Sequence, residues 1–130
     1  MDNKANWLAL EVERPKRMVV LGKFGAPVIN TDGSEAWIEV WSADSERARQ
    51  FRRAQTKSRL EAQARGPITQ EDRDADGVAL LVALTDGWNF IGPEGRLDFT
   101  PENARALYAA PGTAYISEQV DRFAVDRRNF

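Results

Sequence analysis

Residues 42–66 read "SADSERARQFRRAQTKSRLEAQARG", a stretch with no proline and a high content of Ala, Arg, Gln and Glu. These residue types lose little on entering a helix, so the segment predicts one long helix. Its apolar residues are few, with Ala48, Phe51, Ala54 and Leu60 as the main ones. A helix this polar buries a thin stripe and leaves the rest in water or against a partner. It cannot form the centre of a core, and the rest of the chain must fold beside it. Ser42 or Asp44 is the expected N-cap, with Asp44 and Glu46 at the positive end of the helix dipole. Gly66-Pro67 stops the helix.

Ahead of this segment the chain reads as strands. "WLALEVE" (residues 7–13) is apolar with β-branched Val12, "RPK" interrupts it, and "RMVVLG" resumes. "NTDGS" (residues 30–34) is a turn in which Asp32-Gly33 supplies a positive-φ position. In "AWIEVW", Trp37, Glu39 and Trp41 alternate with Ile38 and Val40, a strand pattern that leaves open which set faces inward. "KFGAPVIN" fits no element on sequence grounds.

Beyond Pro67 the pattern turns helical. Thr69 is an N-cap and Asp72 completes an approximate capping box. "VALLVAL" (residues 78–84) then makes the most apolar helix of the chain, expected at the centre of the core, running to Thr85 with Gly87 as its C′ residue. "NFIGPEGRLDF" is a loop or small hairpin. Thr100, Pro101 and Glu102 start another helix as N-cap, N1 and first-turn acid, and Pro111-Gly112 ends it. A last amphipathic helix carries Ile116, Val120 and Phe123 on one face. The expected class is therefore α+β in one domain. A small N-terminal antiparallel β region (residues 1–42) and a polar, basic connecting helix (43–66) precede a C-terminal three-helix part (67–130).

Composition narrows the chemistry. The 130 residues include neither cysteine nor histidine. Disulfides, thiol nucleophiles, zinc fingers, Ser–His–Asp triads and HExxH metal sites are thereby excluded. No cofactor pattern is present, and the expectation is a protein that is not an enzyme. The longest apolar run is far shorter than the ~20 residues of a membrane span, and "MDNKANW" lacks the pattern of a signal peptide. A soluble cytoplasmic protein is the expectation. The net charge of −2 is uneven: residues 1–66 sum to +3 and residues 67–130 to −5.

Two clusters invite a chemical reading. "DRDADG" (residues 72–77) places Asp72, Asp74 and Asp76 as in the first half of a calcium loop. The twelfth position, where such a loop needs a bidentate Glu, is Ala83, and the intervening residues are "VALLV". The acids therefore read as the first turns of a helix, placed by its dipole. The second cluster is basic: Arg49, Arg52, Arg53 and Lys57 share a helix face by i, i+3, i+4 spacing. Such a stripe can track phosphates, but a solvated face or an acidic protein partner suits a chain of pI ≈ 5.2 better. Glu94, Asp98 and Glu102 have no spacing that supports carboxylate catalysis.

Three stretches, taken in order, carry a resemblance. "WIEVWSADSERARQFRRAQ" runs a short strand through Asp44-Ser45 into an Arg/Gln-rich helix. "LLVALTDGWNFIGPEGRLDFTPENARALYAAPG" joins an apolar helix, a tryptophan and a glycine loop to a Phe-x-Pro-Glu-Asn-Ala helix start. "ISEQVDRFAVDRRNF" ends the chain with Gln119, Val120, Arg127 and Phe130 in a Gln-Val…Arg…Phe pattern. Together, over residues 36–130, they resemble the tail assembly chaperones of long-tailed, siphovirus-like bacteriophages and prophages.

The resemblance implies a non-enzymatic protein of the bacterial host cytoplasm. It would coat the tape-measure protein, yield to tail tube subunits and self-associate. The partners so implied are the tape-measure and tail tube proteins, with no membrane. The candidate contact surface is the basic helix at Arg49, Arg52 and Arg53 together with the terminal helix around Phe123 and Phe130; core packing is the ordinary role of Phe123, as of Trp88, Phe90 and Phe99. Two other readings stand beside it. One is another phage-encoded interaction protein, such as a head–tail connector component or an inhibitor of host defence. The other is a nucleic-acid-binding module using the helix over residues 47–59.

Overall fold

The structure is a computed structural model and describes residues 13–130. The strand expected in "WLALEVE" lies outside the described residues, except for its last residue, Glu13. Strand β1 (Lys16–Val19) pairs antiparallel with β2 (Trp37–Val40), with Met18 opposite Ile38 and Arg17 opposite Glu39. β2 is central, because β3 (Thr85–Trp88) pairs antiparallel on its other side.

The alternation of β2 settles its facing. Ile38 and Val40 are fully buried, while Trp37 and Glu39 stand half-buried on the outer face. There the Arg17 guanidinium lies 4.0 Å from the centre of the Trp37 ring, a cation–π contact that covers the indole without removing it from water. Glu39 pairs with the same arginine at 3.8 Å.

Between β1 and β2 the chain makes two tight turns, and these account for "KFGAPVIN". The first covers residues 22–26, with Gly25 at φ +87° and Phe24 fully exposed at its tip. The second is "NTDGS", with Gly33 at φ +89° as the Asp-Gly pair predicts. The segments that meet between the turns close a ring of backbone hydrogen bonds. Val20 N–H donates to Ala36 (2.9 Å), Ala36 N–H to Val28 (2.8 Å) and Val28 N–H to Val20 (2.9 Å). Gln119 clamps this region to the terminal helix, donating to the Leu21 carbonyl (2.7 Å) and accepting from its N–H (2.8 Å).

The α+β architecture is as the sequence implies, with the sheet drawing its third strand from the helical half. Helices α1 (Glu46–Gln63), α2 (Gln70–Leu84), α3 (Pro101–Ala109) and α4 (Ala114–Val125) follow the expected segments. The small hairpin of β4 (Ile91–Gly92) and β5 (Gly95–Arg96) lies between α2 and α3. Thr69 makes a full capping box with Asp72, and Thr100 with Pro101 starts α3. A turn of 3₁₀ helix at Pro111–Thr113 separates α3 from α4.

Two expectations are corrected. Gly87 is no helix cap: α2 ends at Leu84 and Thr85 begins β3, where Gly87 pairs with Glu39. A register shift at Glu39/Val40 leaves Asp86 out of the ladder, and it accepts from the Trp41 indole at 3.2 Å. Nor is α2 the centre of the core, since Leu84 is its buried residue while Val78, Leu80, Leu81 and Val82 are half-buried. Its apolar run covers more than one helix face, and α1, α3 and α4 each pack against it in part. The centre is built from Val20, Ile38 and Val40 of the β region, with Leu84 and with Ala104, Tyr108, Ile116, Val120 and Ala124 of α3 and α4. Trp88 seals one end, stacked on Phe90 (4.8 Å) and edge-on to Phe99 (5.0 Å), its indole N–H donating to Leu97 (2.8 Å).

One polar pair is buried in this core. Thr85 Oγ1 lies 2.7 Å from the Leu81 carbonyl and 2.6 Å from the Tyr108 hydroxyl. A threonine has one hydroxyl proton; it goes to the carbonyl, so Tyr108 donates to Thr85. Burial pushes the Tyr108 hydroxyl up to about 12, and it stays protonated across the physiological range. We expect Thr85→Val to destabilise by about 2 kcal/mol, because it strands both the Leu81 carbonyl and the tyrosine hydroxyl. Tyr108→Phe should lose about 1 kcal/mol, and the double variant less than the sum of the two. Urea unfolding of the four proteins tests this, and strict additivity would show the hydroxyls to be independent.

Candidate partner-binding surface

The N-terminus of α1 is built differently from the expectation. Ser45, rather than Ser42 or Asp44, is the N-cap and accepts from Ala48 N–H at 3.2 Å. Ser42 instead accepts from Asp44 N–H (3.1 Å), and Asp44 pairs with Arg127 (2.7 Å). A second anion, the Glu13 carboxylate, accepts from Glu46 N–H at 2.9 and 3.1 Å, where the helix dipole favours negative charge. The helix ends at Gln63, three residues ahead of Gly66.

Ala48, Phe51, Gln55, Arg59 and Ala62 form the buried and half-buried line along α1, at helical spacing. Two of these five residues, Gln55 and Arg59, are polar, and α2 satisfies them. Gln55 donates to the Asp76 carbonyl (2.8 Å), while Arg59 binds both oxygens of the Asp76 carboxylate and the Asp72 carbonyl (3.0 Å). The helices therefore run antiparallel, with Gln55 meeting Asp76 and Arg59 reaching back to Asp72. The hydrogen bonds from Arg59 hold the Asp76 carboxyl below the usual carboxylate range. Asp72 is held low chiefly by the N–H and hydroxyl of Thr69 in the capping box. Asp74 accepts from Gln70 (2.9 Å). The three acids of "DRDADG" are thus taken up within the fold, Asp76 and Asp72 both facing Arg59, Asp72 also closing the capping box and Asp74 bonding Gln70. Among the described residues no cluster of acidic side chains is arranged to hold a metal.

The outer face of α1 carries the candidate arginines, and local contacts occupy them in part. Arg49 and Arg53 both approach Glu46 at 3.5 Å, and Arg52 turns back to donate to the Ala43 carbonyl at 2.9 Å. Leu60, one residue past the inward line, is 63% exposed. Together with Arg52, Arg53, Thr56, Lys57 and Glu61 it lines an open hollow of about 500 Å³. Spacing on the sequence pointed to the arginines but assigned Leu60 to the buried stripe; its position beside Arg59 moves it about 100° around the helix.

At the other candidate patch, a 3₁₀ turn at Arg127–Asn129 folds the chain end back over α4. Phe130 packs edge-on to Phe123 at 5.5 Å, and Asn129 donates to the Phe123 carbonyl (3.0 Å). Phe123 packs against the core, while Phe130 remains 37% exposed. The two patches adjoin through one residue, Ala43. Ala43 N–H donates to Ala124 (2.8 Å), and the Ala43 carbonyl accepts from Arg52.

The Arg59–Asp76 pair gives a pH signature. A carboxyl whose pKa is lowered by folding stabilises the fold above its unfolded pKa, ~3.9 for Asp. That stabilisation is lost as pH falls through the lower, folded value. Asp76→Asn should lower Tm at pH 7, with the gap to the parent protein closing as the pH is taken below about 4. A gap independent of pH would assign the loss to packing instead. No protein-family model matches this chain, and no curated protein or solved structure shows significant similarity to it.

Proposed function

We propose that the protein is a phage tail assembly chaperone, which binds the tape-measure protein reversibly and gives way to tail tube subunits without catalysing a reaction. The observation that supports this reading most is α1, an 18-residue helix that fully buries Ala48 alone and turns a long face outward. That face adjoins the end of α4, where Phe130 packs on Phe123, through Ala43. A long helical client exposes apolar stripes that aggregate unless covered, and a helix face beside an aromatic patch offers such cover. Arg49, Arg52, Arg53, Phe123 and Phe130 are the residues we assign to the contact.

The three stretches behind the resemblance also fall on continuous pieces of the fold. The first spans β2 and most of α1, the second runs from the end of α2 to the end of α3, and the third covers α4 and the terminal turn. Self-association and a place in the host cytoplasm belong to the same proposal. The nucleic-acid reading is weaker, because Glu46 pairs with two of the arginines that a phosphate backbone would use.

Co-expression with the tape-measure protein encoded in the same genome tests the proposal. We expect the tape-measure protein to stay soluble and to co-purify with this chain. A tape-measure protein that remains insoluble and unbound would refute the chaperone reading. Retention of DNA or RNA at low salt, lost steeply as salt rises, would favour the nucleic-acid rival.

A further inference from the structure

The open hollow on the outer face of α1 runs along the helix. Its lining residues fall on two rows at i, i+4 spacing: Arg52, Thr56 and Leu60 on one, Arg53, Lys57 and Glu61 on the other. Neighbouring i±4 rows are the ridges between which a second helix seats its own side chains. On the opposite face this role is already filled, since Gln55 and Arg59 hold α2. The outer groove is filled by no element among the described residues, and Leu60 lies in it, 63% exposed.

Charge selects the kind of helix. The lining holds three cations, Arg52, Arg53 and Lys57, against the single carboxylate of Glu61. Arg52 is turned to the Ala43 carbonyl and Arg53 to Glu46, while Lys57 stands outside any ion pair among the described residues. The two arginines lie at the N-terminal end of the groove, and Leu60, its one apolar residue, lies toward the C-terminal end beside Lys57 and Glu61. We propose that this groove docks an acidic amphipathic helix of the partner protein, with an apolar residue against Leu60 and a carboxylate against Lys57, which makes no ion pair among the described residues. The inference rests on the chaperone reading for the identity of the partner, while the chemistry of the occupant comes from the groove itself. Nucleic acid fits it less well, because Leu60 offers nothing to a phosphate backbone and Glu61 repels one.

The probe is a fluorescein-labelled synthetic peptide with leucines at i, i+3, i+4, i+7 spacing and glutamates between them, set against a twin with lysine for every glutamate. By fluorescence anisotropy we expect saturable binding of the acidic peptide only, weakened by salt. Leu60→Asp and Lys57→Glu should each reduce affinity about tenfold or more, a change of ~1.4 kcal/mol. Both side chains project from the outer face, so circular dichroism and Tm should match the parent protein. Absence of saturable binding, equal binding of the lysine twin, or displacement of the peptide by a single-stranded oligonucleotide would overturn the proposal.

Co-purification separates this result from the function above. Loss of the tape-measure protein from Leu60→Asp but not from the parent supports both. Retention by the parent and by both variants overturns the groove assignment and leaves the chaperone reading intact. Binding of the acidic peptide without the tape-measure protein supports the groove and refutes that client.

Discussion

The pairing of β2 on both edges is the constraint on which the other elements depend. Ile38 and Val40 are fully buried, and each is held by a neighbour from a different part of the chain. β1 arrives through two tight turns, and β3 arrives only after α1 and α2 have been laid down. The inner face of these three short strands becomes the surface that α4 covers with Ile116, Val120 and Ala124. Because the strands are four residues each, the ladder alone is weak, and burial of its inner face supplies most of the stabilisation. Side chains extend the ladder where the backbone runs out. Asn89 accepts from Trp37 N–H (2.7 Å) and donates to Glu35 (3.0 Å), and Asn30 bridges the Asn89 carbonyl and the Ile91 N–H (both 3.0 Å).

A helix as polar as α1 has too little apolar surface to hold itself against a core, yet it is fixed at both halves. Its start is held by Ser45, by the Glu13 carboxylate and by buried Ala48. Its second half is held by polar groups, Gln55 and Arg59 on Asp76 and Asp72. Directional bonds position a helix rotationally in a way that an apolar stripe does not, because each donor must find one acceptor. The outward row is thus presented in one orientation.

What was legible in the sequence was local. Thr69 with Asp72, Thr100 with Pro101, and Asp32-Gly33 each state a terminus or turn within a few residues, and the structure has each of them. What was illegible depends on distant partners. "TDGW" has no β-branched alternation and carries a glycine, so nothing in it announces a strand; β3 exists because β2 pairs with it. The α1 cap is Ser45, while Asp44 turns to Arg127, a partner more than eighty positions away. For the candidate surface, spacing grouped the arginines correctly on one side of α1. It missed that Glu46 and Ala43 occupy them, and it placed Leu60 on the inward stripe when that stripe is completed by Gln55 and Arg59. The second pairing was hidden because a polar residue on a helix interior is recognised only once its acceptor is known.

The ring formed by Val20, Ala36 and Val28 has a consequence for motion. In an ordinary ladder an end bond can open while its neighbours persist, so the ladder frays from its ends. A closed ring has no end. Releasing any one of its three amides requires displacing a segment that also carries a second bond of the ring. The bases of both turns, including the one that raises Phe24 into solvent, are therefore tied to a single opening event beside the residue that Gln119 grips, while each turn keeps its own bonds beyond the ring.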